Sequence, residues 1–167
     1  MMDSEKRRTE DTSRTKQILY VVDIQESFSP PDWLIKGAQK LADKFPSIAT
    51  VERHNEDIVP FRGQLNWAPS INDKGLVNVD REFIKYGYTP PAAVMQYLNS
   101  LELERVLVCG MQTETCVLAA GFQLFDAGLQ PTLVEDLTVG SSLDPTGKLG
   151  IELWKHHFGS TVDSSVG

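Results

Sequence analysis

The stretch that most limits how this chain can fold is residues 106–128, VLVCGMQTETCVLAAGFQLFDAG. Val106–Cys109 is an unbroken apolar run, the pattern of a strand covered on both faces. Gly110 ends it and Gln112–Thr115 is polar. From Cys116 the spacing turns helical: Val117, Ala120, Gly121, Leu124 and Gly128 recur at i, i+3, i+4, i+7 and i+11, so small and apolar side chains share one face. Thr113 or Thr115 is placed to cap this helix and Gly128 to stop it. A cysteine therefore falls where a strand turns into a helix. Free N–H groups and the positive dipole end there favour a thiolate and can hold an oxyanion. Taken alone, a cysteine at such a turn is more often structural than reactive.

The rest of the chain alternates between strand and helix patterns. Residues 17–23, QILYVVD, read as a buried strand ending in an acid. The run 29–32, SPPD, starts a helix whose face carries Leu34, Ala38, Leu41 and Phe45. Ser47–Val51 is a second strand. His54–Asp73 has no clear period and is expected to be a long loop. Leu76–Asp80 is the expected third strand, followed by a helix opened by Thr89-Pro90-Pro91 and running to about Leu101. Val106–Cys109 is the fourth strand, Cys116–Ala127 the next helix, and Pro131–Val134 the fifth strand. A helix capped at Asp144-Pro145 carries Leu149, Leu153 and Trp154, and Ser160–Val162 is the sixth strand. Such alternation predicts an α/β, doubly wound, mostly parallel six-stranded sheet with helices on both faces. In the strand order 3-2-1-4-5-6, ligands bind at the carboxyl edge where the order reverses, between strands one and four. That order brings Asp23 and Cys116 to one crevice.

Composition narrows the class of function. The 167 residues suit one domain, and the net charge of −7 disfavours nucleic acid and anionic membrane as partners. No apolar run approaches the length of a membrane span. The opening MMDSEKRRTEDTSRTK has no apolar segment and reads as a disordered charged tail over 1–16, with the folded domain at 17–167. Cys109 and Cys116 belong to a strand and a helix start, so neither a disulfide nor a zinc framework is expected. The expected compartment is the cytoplasm.

Three side chains bear on one another at the crevice. Cys116 is the candidate nucleophile, Asp23 the candidate proton acceptor, and Lys85, in FIKYGYTPP, the cation that would hold them in charged form. Each has a plainer reading: a strand-end aspartate usually forms a turn, and a lysine beside tyrosines is usually solvated.

Taken together, DIQESF at Asp23–Phe28, KYGYTPP at Lys85–Pro91 and CGMQTETCV at Cys109–Val117 resemble the three signature blocks of the isochorismatase-like cysteine hydrolases, a family that includes nicotinamidases and N-carbamoylsarcosine amidohydrolases. The resemblance covers residues 17–162. It implies an Asp23–Lys85–Cys116 triad, a cis peptide between Met111 and Gln112, and an oxyanion hole of the Gln112 and Cys116 N–H groups. It implies C–N hydrolysis of a small molecule through a thioester, since isochorismatases proper lack the nucleophilic cysteine. The low-pKa form of Cys116 is expected to prevail. Gln25, Phe28, Phe61, Asn66, Trp67 and Tyr88 are the candidate substrate-binding residues. Nicotinamidases add a metal site built from an Asp-x-His pair and further histidines. Here only Glu52 and His54 match it, with Ile58 and Pro60 where another histidine is expected, so no metal and no cofactor is expected. His156 and His157, adjacent on a helix, are a poor chelate. A homo-oligomer is expected from the family. Two alternatives stay open: a catalytically silent interaction or redox-sensing domain, and a nicotinamidase-like metal-assisted amidase.

Overall fold

A computed structural model describes residues 16–167; the expected tail at 1–16 lies outside the described residues except for Lys16. Six strands form one sheet in the order β3-β2-β1-β4-β5-β6: β1 (Gln17–Val22), β2 (Ser47–Glu52), β3 (Arg81–Lys85), β4 (Arg105–Met111), β5 (Pro131–Val139) and β6 (Thr161–Val162). Every neighbouring pair is parallel. The helices are α1 (Asp32–Lys44), α2 (Phe61–Leu65), α3 (Ala92–Asn99), α4 (Leu118–Asp126) and α5 (Lys148–His157).

The pleat of β1 explains how both faces become core. Ile18, Tyr20 and Val22 enter one apolar cluster with Val94 and Leu98 of α3, Ala120 and Leu124 of α4 and Trp154 of α5. Leu19 and Val21 enter the other, with Leu34, Ala38 and Leu41 of α1. The continuous apolar run of β1 is therefore what a central parallel strand requires. Beside it, Gly110 of β4 has φ +122°, and a Cβ there would run into the Val22 carbonyl oxygen. Only glycine lets β4 approach β1 so closely at the reversal of strand order.

Several local expectations need correction. The third strand is Arg81–Lys85, not Leu76–Asp80. Val77 is buried, but the Leu76 N–H donates to the Ile24 carbonyl, so this segment packs across the strand ends as a loop. Lys85 is thus the last residue of β3 rather than part of the loop after it. The stretch from His54 to Asp73 contains α2. Strand β5 continues through Glu135 and Asp136 to Val139, past a register shift against β4 between Val108 and Gly110. The chain after β4 does not begin as an α-helix at Cys116. Thr113–Val117 forms a π-helical turn and α4 follows from Leu118. Neither threonine caps it: the Thr113 hydroxyl pairs with the Thr138 hydroxyl at 2.6 Å.

Candidate active site

The site is assembled at the carboxyl ends of three adjacent strands and the turn after a fourth. Asp23 directly follows β1, with φ 50° and its N–H donating to the Thr50 carbonyl. Aspartate is among the residues that tolerate this left-handed backbone. Its side chain is fully buried: Oδ1 accepts from the Thr50 hydroxyl at 2.8 Å, and Oδ2 pairs with Lys85 Nζ at 2.8 Å. Lys85, also buried, donates to the Tyr88 carbonyl at 3.0 Å. Strand β2 lies between β1 and β3, so its last residue, Glu52, enters the same space. Cys116, in the π-helical turn, donates Sγ–H to Glu52 Oε2 at 3.6 Å. One ligand atom each from Asp23, Glu52 and Cys116 lies within 4.8 Å of the others. The Met111–Gln112 peptide preceding this turn is cis.

Burial dominates the electrostatics. It pushes the Cys116 thiol well above the usual thiol range; the charge of Asp23 adds to this, Lys85 opposes it, and Glu52 adds again. The expectation of a thiolate favoured by the helix end and the lysine is therefore corrected: the sulfur is almost out of water and faces two carboxyls against one ammonium. Burial also raises Asp23, with Lys85 and Thr50 pulling it back. Burial works against the Lys85 ammonium, but Asp23 and the other acidic groups outweigh it and hold the lysine charged. Glu52 is pushed up to about 7, by burial first, with Lys85 opposing and Asp23 adding.

A cavity of about 230 Å³ opens onto the cysteine. Phe28, Trp67 and Tyr88 give it an aromatic wall; Glu52, Gln112 and Cys116 supply its reactive side, with Thr115 and Ser141 beside them. A larger cavity, about 470 Å³, lies at the amino ends of β4 and β5 between Arg105, Pro131 and Phe158. Among the described residues no cysteine, serine–base pair or acid cluster of this kind lines it, and parallel sheets present their sites at the opposite edge.

The expected binding residues divide. Phe28, Trp67 and Tyr88 line the cavity. Phe61 does not: it is buried behind the wall, with its ring edge-on to Trp67 at 5.9 Å and to Tyr88 at 5.4 Å. Asn66 is exposed and ends α2 in a left-handed conformation, the role asparagine takes when glycine is absent. Gln25 is buried under the strand ends rather than on the cavity wall. Its Nε2 donates to the Glu52 carbonyl and to Asp73 Oδ2, both at 2.7 Å, and its Oε1 accepts from the Glu52 N–H at 2.8 Å. It fixes the end of β2 and hence Glu52. Sequence reasoning missed Glu52, Thr115 and Ser141 as cavity residues. Glu52 carried a usable signal, since it ends a buried strand as Asp23 does.

Glu52 and His54 turn to different partners. Glu52 turns to Cys116, whereas His54 Nε2 pairs with Glu56 at 2.9 Å and its ring packs edge-on against Phe61. Among the described residues the grouped donors are Asp23, Glu52 and Cys116, and there the Lys85 ammonium already holds the position beside Asp23. His156 and His157 lie closer than their sequence positions imply, rings 4.9 Å apart, on the far helix α5.

The family model of the isochorismatase domain matches residues 17–165. Over 136 residues the chain is 27% identical to isochorismatase domain-containing protein 2 of Bos taurus, covering 75% of this chain and 60% of that protein. The chain thus spans about 60% of the length of the curated relative it matches. Among solved structures it is similar to the pyrazinamidase of Pyrococcus horikoshii in complex with zinc, with a TM-score of 0.76 at 21% identity over 89% of this chain and 99% of that one. It is also similar to the N-carbamoylsarcosine amidase of Thermoplasma acidophilum, with a TM-score of 0.70 at 16% identity over 91% and 98%. At these identities the structural likenesses speak for the fold.

Proposed function

This chain belongs to the isochorismatase family, and on that premise we propose that it is a hydrolase that cleaves a C–N bond of a small amide or carbamoyl compound with Cys116 as nucleophile. The observation that carries this reading is the convergence of a buried Asp23–Lys85 ion pair, 2.8 Å across, with a thiol on the wall of one cavity. Resemblance to amidases supports the bond type.

The chemistry follows from the resting charges. Cys116 rests as the thiol, because burial and two carboxyls oppose its ionisation. The sulfur becomes a nucleophile only as its proton leaves, and Asp23 is the acceptor, with Lys85 and Thr50 stabilising its charged form until then. The S–C bond forms, and the carbonyl oxygen becomes an oxyanion held by the Gln112 and Cys116 N–H groups. Loss of one such donor typically costs about 3–4 kcal/mol. Asp23 then gives its proton to the nitrogen as the C–N bond breaks, and the amine leaves. Water attacks the thioester, Asp23 takes one of its protons, and the acid departs as the thiol is re-formed. The acidic groups around Lys85 outweigh the burial that opposes its charge, so the ammonium is kept and the pair cycles one proton.

The test is a screen of small amides, ureides and carbamoyl compounds for amine or ammonia release, with Cys116→Ala as the blank. Release by the parent and none by the variant is the expected result. Equal rates in both would remove the nucleophile assignment.

A further inference from the structure

Glu52 is the one carboxyl lining the cavity among the described residues, and the mechanism above leaves it idle. Its side chain is 2% exposed, and its Oε2 receives the Cys116 Sγ–H. Its Oε1 is buried with no hydrogen-bond partner among the described residues. A buried carboxyl oxygen left unpaired costs free energy, so it calls for a partner that the protein does not supply. The Gln25 clamp on the Glu52 backbone holds the carboxyl where it is. The charges around it point one way. Among the described residues no lysine, arginine or histidine lines the cavity, and Lys85, close behind it, is already engaged by Asp23 and the Tyr88 carbonyl. Asp23, Cys116 and Tyr88 are the other titratable groups facing it. A substrate carboxylate would meet a carboxyl with no cation to compensate. A substrate N–H would meet an open acceptor. The aromatic wall of Phe28, Trp67 and Tyr88 adds a preference for a flat molecule.

We infer that Glu52 is a substrate-binding residue whose Oε1 accepts an N–H from the bound molecule, so that the cavity selects small planar compounds with donor nitrogens, neutral or cationic, and rejects those bearing a carboxylate. The inference rests on the proposed hydrolase reading for which cavity receives the substrate. Its test is separate from turnover.

Three flat probes of matched shape decide it: benzamidine, benzamide and benzoate, titrated calorimetrically at pH 8.5 into Cys116→Ala protein, which cannot form a thioester. The expected order of affinity is benzamidine, then benzamide, then benzoate, with about tenfold or more between first and last. Adding Glu52→Gln narrows that range to about threefold or less, chiefly by weakening benzamidine. Glu52→Asp, which keeps the charge, retains the preference for benzamidine over benzoate and separates lost charge from lost structure should the glutamine variant fold poorly. Benzoate binding as tightly as benzamidine, a preference unchanged by Glu52→Gln, or no benzamidine binding at millimolar concentration would each overturn the inference. Parent protein that hydrolyses none of the screened compounds would count against the hydrolase reading alone, because the binding order is measured without chemistry.

Discussion

The two cysteines of this chain differ by seven positions and by everything that matters for reactivity. Cys109 lies inside β4, packed among aliphatic side chains on the α1 face of the sheet, and burial alone pushes its thiol up to about 12. Cys116 lies one turn past the same strand and is nearly as buried. Its thiol is also raised, but through burial together with two carboxyls and against a lysine. Neither site stabilises a free thiolate. What sets Cys116 apart is a proton acceptor within reach and a cavity at its sulfur. On the proposed reading, reactivity depends on where the proton can go when substrate arrives, rather than on a low resting pKa.

The largest effect expected from breaking this contrast is on turnover. With a substrate found by the screen, Cys116→Ala and Cys116→Ser each lower kcat by on the order of 10⁴-fold or more, since alanine cannot form a thioester and serine is far harder to ionise. Cys109→Ser leaves kcat within about threefold and instead lowers the melting temperature, because a hydroxyl replaces a thiol in an apolar cluster. Steady-state kinetics and thermal melts on the three variants measure both.

The ion pair comes next. Asp23→Asn removes the proton acceptor and is expected to cost about 10²–10⁴-fold in turnover while the protein stays folded. Lys85→Met leaves a fully buried aspartate without its cation, for which urea unfolding at pH 8 should register a loss of about 3–5 kcal/mol.

Alkylation sharpens the contrast further. At pH 7 iodoacetamide labels Cys116 slowly. Above pH 8 Cys116 labels progressively faster, and Cys109 labels only on unfolding. Asp23→Asn should speed labelling of Cys116 even as it lowers turnover, because it removes a negative charge that opposes the thiolate. Peptide mass spectrometry across a pH series reads both outcomes, and slower labelling in that variant would show that Asp23 favours the thiolate instead.

The smallest effect is on stability. The folded pKa of Glu52, about 7, lies above its ordinary value of 4.5. Between those values the folded protein binds more protons at this group than the unfolded chain does, so its contribution to stability falls as pH rises through the window. The full difference is roughly 3 kcal/mol at most. Glu52→Gln, neutral at every pH, should therefore gain stability relative to the parent at pH 8 and show little of that gain at pH 5. Denaturant melts at the two pH values check the sign.

Much of the fold was legible because its central strands are buried on both faces. The runs in β1 and β4 are unbroken and apolar, and a short buried strand leaves few other choices. Strand β3 was misplaced because it is an edge strand: REFIK is mostly exposed or half-exposed, while the more apolar LVNVD before it belongs to a loop. That Asp23, Lys85 and Cys116 come together was legible through strand ends and the three blocks that carry the family resemblance. The roles of Glu52, Phe61 and Gln25 were not, because they depend on which way a side chain turns once β2, α2 and the loop before β3 meet. Ser141 reaches the cavity through a loop held by the Glu114 carboxylate, which accepts the Ser141 N–H at 2.9 Å, a contact between residues with no shared pattern. The state of the thiol was misjudged for a related reason: sequence shows the lysine and the helix end but not the depth of burial.

The central claim is that the carbonyl carbon of the substrate becomes bonded to Cys116. Rapid quenching of the parent protein during turnover of a slow amide substrate, followed by peptide mass spectrometry, tests it directly. The account predicts a mass increment equal to the acyl group on the peptide containing Cys116, rising and decaying with turnover and absent in Cys116→Ala. Continued turnover with no adduct at any time, or the acyl group found on another residue, would contradict it.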